Sequence, residues 1–87
     1  MNHYSIDGSL FRDRNSAYDA ISSALNLPDW FGRNLDALFD ALSTTRGEIT
    51  VENTAALLNN LGSYGCSLIK TFTDANAENK YLTVTFE

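Results

Sequence analysis

Leu27-Pro28-Asp29-Trp30-Phe31-Gly32-Arg33-Asn34-Leu35-Asp36-Ala37-Leu38-Phe39-Asp40-Ala41-Leu42 joins a loop to a short helix and carries two patterns at once. Leu35, Leu38 and Leu42 fall at helical spacing, so one side of the helix can be buried. Asp36 and Asp40 stand four residues apart, which stacks their carboxylates on one face. Trp30 and Phe31 stand just ahead of the helix, and Phe39 lies beside the acidic pair. A helix needs its leucines. It gains nothing from two like charges at this spacing, which repel by roughly a few tenths of a kcal/mol. The pair therefore points to a use other than folding.

Working outward, residues 3–6 read as a short strand, followed by the Asp7-Gly8 turn signal, with Leu10 and Phe11 extending the apolar layer. Asn15 is positioned to cap a helix with Tyr18, Ile21 and Leu25 along one stripe. Pro28 separates that helix from the next, because the residue before a proline leaves the α region. Gly32 marks a tight place in the loop, and Asn34 caps the helix from 35 to about 43. Residues 48–52 alternate and are β-rich, so they form a second strand. Asn53 is expected to cap a third helix, with Ala56, Leu57 and Leu61, that stops at Gly62. A fourth runs from 67 to about 78, with Leu68, Phe72 and Ala75 on one face. In the last strand, 81–86, Leu82, Val84 and Phe86 alternate with Thr83 and Thr85. Strands separated by pairs of helices imply a parallel sheet. The fold class is therefore α/β: three parallel strands packed with about four helices, the crossovers right-handed.

The 87 residues fit one domain, 1–87, and the 44 % of apolar residues suffice for one modest core. No run of about 18 apolar residues could span a membrane. Met1-Asn2-His3-Tyr4 lacks the basic start and apolar stretch of a secretion signal, so a cytoplasmic location is expected. Cys66 is the single cysteine: it forms no internal disulfide, a zinc cluster would need several more ligands, and it is expected half-buried on a helix. His3 is the single histidine, expected exposed on a strand. A Ser-His-Asp or Cys-His constellation would have to run through that chain end, a poor scaffold. The net charge of −5 disfavours nucleic acid and suits a cationic protein partner, while serving solubility in any case.

The carboxylate pair admits several uses. With water, Asp36 and Asp40 could begin a hard-ion site or serve acid and base catalysis. A catalytic pair, however, usually faces across a cleft from different elements, whereas both of these come from one helix. Asp29 is the only further carboxylate near in sequence. A plainly solvated helix face is the simplest alternative. The aromatics favour a binding surface, since such side chains concentrate at protein interfaces. Phe31 is expected in the core. Phe39, about 100° around the helix from Leu38, belongs at the border of core and surface. Trp30 is expected exposed. There is no phosphate loop, nucleotide motif or basic aromatic patch. Gly62, Tyr64 and Gly65 look like helix-to-helix punctuation.

The run 27–40, read as Leu-Pro-acidic-aromatic-aromatic-Gly-x-Asn-Leu-Asp-Ala-Leu-aromatic-Asp, resembles the signature of the barstar family, the bacterial intracellular ribonuclease inhibitors. The resemblance extends over most of the chain. The order of elements fits, and Phe72-Thr73-Asp74-Ala75 is similar to the family's late helix. It implies an inhibitor rather than an enzyme, with no cofactor and no metal. The second helix and its preceding loop would fill the active-site cleft of a small basic secreted ribonuclease, one to one. By the same resemblance Asp40 stands where the RNA phosphate would bind, and Asp36 is a second acidic contact. Trp30 takes the place of a tyrosine packed on the enzyme's catalytic base, and Phe39 that of a tryptophan. Gly32 and Asn34 shape the loop and begin the helix, and Asp74 replaces a peripheral glutamate. After Leu42 the chain departs from the pattern. Ser43-Thr44-Thr45-Arg46-Gly47 stands where a glycine and a tryptophan occur, so an interface aromatic is missing and Arg46 adds a positive charge. Arg33 replaces an acidic residue. Rival readings are a barstar-like adaptor for another basic protein, and a carboxylate-dependent hydrolase or metal binder.

Overall fold

The alternating segment Gly47–Glu52 (β2) lies in the middle of a three-stranded sheet: Gly47, Ile49 and Val51 are buried against the core, whereas Glu48, Thr50 and Glu52, which alternate with them, are half-buried. The structure is a computed structural model that describes residues 2–87; Met1 lies outside the described residues. His3–Asp7 (β1) and Leu82–Phe86 (β3) flank β2, both parallel to it, with Ile6 opposite Val51 and Ile49 opposite Val84. Each crossover carries a helix pair. Arg14–Leu25 (α1) and Leu35–Ser43 (α2) join β1 to β2, and Thr54–Leu61 (α3) and Ser63–Glu78 (α4) join β2 to β3. The expected three parallel strands and four helices are all present.

The differences lie at the ends of elements. Asp13, not Asn15, caps α1. Its carboxylate accepts from Ser16 N at 2.8 Å while Ser16 Oγ accepts from Asp13 N at 3.0 Å. This reciprocal capping box satisfies two amides at once and draws the helix start forward, leaving Asn15 inside the first turn. Asn53 does stand at the start of α3 but makes no side-chain cap. It sits at φ 55°, and its amide instead donates to Asp7 Oδ1 at 2.8 Å, tying the ends of β1 and β2 together. Asp7 also accepts from Ser9 Oγ at 2.7 Å and Ser9 N at 2.9 Å, and these donors hold its carboxyl below the usual range. Helix α4 begins four residues earlier than expected. Gly62, at φ 57°, separates α3 from α4, so Tyr64 and Gly65 belong to the first turn of α4 rather than to a loop. A Cβ on Gly65 would lie 3.1 Å from a Leu57 methyl, so its bareness lets the two helices close. Of the Leu10–Phe11 pair only Phe11 enters the core; Leu10 faces solvent from a single 3-10 turn.

Helix α2 packs on α4 over the sheet. Leu38 and Leu42 from α2, Leu68 and Phe72 from α4, and Ile49 and Val51 from β2 are all within 1 % of complete burial. Leu35 is half-buried at the edge of this cluster. Beneath α1, the Tyr18 hydroxyl meets that of Tyr64 at 2.5 Å, which satisfies the polar end of a buried ring, and burial pushes the Tyr18 phenol up.

The two sides of α2 should respond oppositely to truncation. Leu38→Ala empties a fully buried site and is expected to cost about 2–5 kcal/mol. Asp40 opens the last turn of α2, near the negative end of the helix dipole, and lies four residues from Asp36. Asp40→Ala is therefore expected to raise stability by roughly a few tenths of a kcal/mol. Urea unfolding of both variants measures this; destabilisation by Asp40→Ala as large as that by Leu38→Ala would refute the assignment of faces.

Candidate functional site

The loop ahead of α2 is shaped by a sequence of local constraints. Helix α1 ends on Asn26 in the left-handed region at φ 55°, with Leu27 N bonded back to Ser22 O at 3.0 Å. Pro28 O then accepts from Phe31 N at 3.0 Å, closing a tight turn over Asp29 and Trp30. The turn sends neighbouring aromatics in opposite directions. Trp30 is 85 % exposed, whereas Phe31 is buried with its ring 5.9 Å from that of Tyr18. An indole so exposed loses the area it could bury, roughly 1.5–3 kcal/mol for a large apolar side chain. The fold alone gives no reason for it.

Arg33 fastens the other end of the loop. It sits at φ 52°, and its Nη2 lies 2.8 Å from both Asn15 O and Asn15 Oδ1 and 2.9 Å from Asp19 Oδ1. The loop is thus pinned to α1 from beneath by Phe31 and from the side by Arg33. Asn34 completes the entry, accepting from Ala37 N at 2.8 Å and donating to Gly32 O at 3.1 Å. A Cβ on Gly32 would stand 3.0 Å from Ala37 Cβ, so a bare backbone allows the chain to turn this closely into the helix.

On α2, Asp36 and Asp40 are exposed and Phe39 is half-buried. Ion pairs among the described residues are His3–Glu48, Arg33–Asp19 and Lys70–Asp74; neither Asp36 nor Asp40 has one. Asp36, in the first turn, is favoured by the helix dipole, whereas Asp40 is not. Trp30 and Asp40 line a groove of about 410 Å³ together with Phe31, Gly32, Ala41 and Thr45. The structure thus brings Trp30, Gly32 and Asp40 to one place. Asp36 lies one turn earlier, and neither it, Phe39 nor Asp74 lines the groove. Asp74 is on α4, paired with Lys70 Nζ at 2.8 Å.

Two residues that organise this region carry no weight in the sequence reading. Arg33 is one. The signal for it was an arginine on a loop opposite Asn15 and Asp19, which share one face of α1. Asn79, the C-cap of α4, is the other. Its amide donates to Leu42 O at 3.0 Å and Thr45 O at 2.8 Å, and its Oδ1 accepts from Tyr81 N at 3.0 Å. It thereby satisfies carbonyls at the end of α2 and ties that end to the start of β3. His3 is exposed on β1, its Nδ1 3.2 Å from Glu48. Cys66 is exposed, not half-buried, because α4 turns Leu68 and Phe72 inward rather than the cysteine. Among the described residues no three His, Cys, Asp or Glu side chains come together as a metal ion would require, and no helix is long and apolar enough to cross a membrane.

The family model described as Barstar (barnase inhibitor) matches residues 1–87. A Bacillus subtilis (strain 168) protein named "Putative ribonuclease inhibitor YrdF" is 35 % identical over 81 residues, covering 86 % of this chain and 86 % of its own. The matched family model spans the same loop, acidic helix and parallel sheet described above, and the chain belongs to the barstar family.

Proposed function

We propose that this protein inhibits a small basic ribonuclease, one to one and in the cytoplasm, by seating the outer face of α2 and the loop before it in the enzyme's active-site cleft. The observation that carries the reading is the meeting, on one groove, of an 85 % exposed Trp30 and an Asp40 that has no ion pair among the described residues, held by a loop fastened to α1. A ribonuclease cleft gathers cationic groups to stabilise phosphate charge. A carboxylate on a rigid helix can stand in for that phosphate, and an indole beside it can cover a ring or an aliphatic stem. Asp36 supplies a second negative charge, Phe39 part of the apolar border, and Asp74 a peripheral contact. Gly32 and Asn34 give the loop its shape. Coupling energies for close interfacial charge pairs reach about 1.5–7 kcal/mol; these values, like one well-known alanine-scan hot spot, were measured on barnase with barstar.

Inhibition of barnase by the purified protein tests the reading. Asp40→Ala is expected to weaken it by roughly 2–5 kcal/mol, because an enzyme cation is left buried and unpaired. An inhibition constant unchanged within about twofold, or about 0.4 kcal/mol, would remove the phosphate-mimic role. Association should be steered by charge. Stopped-flow rate constants are expected to fall by roughly tenfold between low and high ionic strength, since exposed charges are screened beyond about 10 Å at 0.1 M salt. A rate indifferent to salt would mean that the acidic face does not meet the partner. Finally, Arg33→Ala should weaken inhibition by roughly 3–10-fold through loss of preorganisation, with a change in stability under about 1 kcal/mol. Amide exchange at residues 29–33 of the free protein should quicken in parallel; unchanged exchange would show that Arg33 does not hold the loop.

A further inference from the structure

Two of the chain's six cations gather on one exposed aromatic ring. Arg46 Cζ lies 4.5 Å from the centroid of Tyr81 and Lys80 Nζ 5.3 Å from it, while the ring itself is 53 % exposed. Neither cation has an ion pair among the described residues, in contrast to Arg33 and Lys70. Together with Asn2, Gly47, Glu48 and Thr83 they border a groove of about 630 Å³ where β2 and β3 begin. The one carboxylate there, Glu48, lies 3.2 Å from His3 Nδ1. In a chain of net charge −5, this groove presents the opposite sign.

Its location is as informative as its charge. Arg46 directly follows Thr44 and Thr45, which line the Trp30–Asp40 groove. Asn79 binds Leu42 O and Thr45 O with its amide and Tyr81 N with its carbonyl, and Gly47 N donates to Tyr81 O at 2.9 Å. Four hydrogen bonds therefore join the end of α2, the link to β2 and the start of β3. The cationic groove is fixed relative to the acidic face.

We propose that the Arg46–Tyr81–Lys80 groove is the rim of the binding surface and receives a carboxylate side chain that the nuclease carries beside its cleft; this rests on the inhibitor reading above. A guanidinium presents a planar fork of donors that matches a carboxylate. Stacking on Tyr81 restricts the guanidinium before the partner arrives, which lowers the ordering cost of the contact. Lys80 adds a second charge from the same ring. Nucleic acid is the poorer fit, because two cations beside an acidic face neutralise few phosphates and the net charge repels the rest. The consequence is selectivity. An acidic helix alone suits any basic cleft, whereas a cationic rim rejects a nuclease with Lys or Arg at the facing position.

Binding to barnase, measured by calorimetry or surface immobilisation, tests this with wild type, Asp40→Ala, Arg46→Glu, Arg46→Gln and Tyr81→Ala, each confirmed folded by circular dichroism. Arg46→Glu is expected to raise Kd more than threefold, with Arg46→Gln and Tyr81→Ala smaller but in the same direction. A Kd unchanged within threefold for Arg46→Glu, while Asp40→Ala weakens binding, overturns the rim and leaves the inhibitor reading standing. Wild type that binds neither barnase nor other small basic ribonucleases overturns that reading and the rim with it. A short single-stranded RNA that binds the wild type and is lost with Arg46→Glu would overturn the rim in favour of nucleic acid.

Discussion

Burial of Leu38 and Leu42 beneath α2 is the contact on which the rest of the molecule turns. With both side chains fully excluded from water, the helix has only one rotational setting about its own axis against α4 and the sheet. That setting commits the opposite side, with Asp36 and Asp40, to solvent. No separate device is needed to display the acids. The same hydrophobic term that folds the domain presents them, and their mutual repulsion and the misplacement of Asp40 near the helix C-terminus are small against it.

The loop is governed by different physics. It has no regular hydrogen-bonded ladder, so its shape comes from a few discrete ties: the Asn26 turn, the Phe31 ring against Tyr18, the Arg33 guanidinium on Asn15 and Asp19, and the Asn34 cap. An exposed ion pair contributes little to stability. Its value here is conformational, because it limits the states that the loop can occupy before any partner is met. Apolar burial sets the orientation of the helix, and polar contacts set the loop.

The architecture was legible in the sequence because periodicity reports burial. Leu82, Val84 and Phe86 alternate as a strand must, and Leu68, Phe72 and Ala75 recur as a helix must. The parallel sheet followed from the pairs of helices between the strands. The candidate face was legible for the same reason: leucines at helical spacing define the inside, and aspartates off that stripe define the outside. What escaped the reading depends on long-range partners. Asn53 is a residue type that caps helices, but its backbone sits at φ 55° rather than in the extended region a cap uses, and its side-chain amide N–H goes to Asp7, 46 residues away. Asn15 yields to Asp13 because Ser16 can answer only one of them reciprocally. The side-chain donors of Arg33 and Asn79 reach residues 14 to 37 positions away, and no local pattern marks such contacts.

The division between residues that hold the loop and residues that project from it has a consequence for how such a molecule can change. Phe31, Arg33 and Asn34 fasten the backbone; Trp30, Asp36 and Asp40 extend from it with no ion pair among the described residues and, for Trp30, hardly any covering. Replacement of the projecting side chains leaves the core and the fastenings untouched. Under the proposed inhibitor role, the face can therefore be rewritten one position at a time as a partner's surface drifts. The scaffold is conservative by physics while the surface it carries is free to follow a moving target.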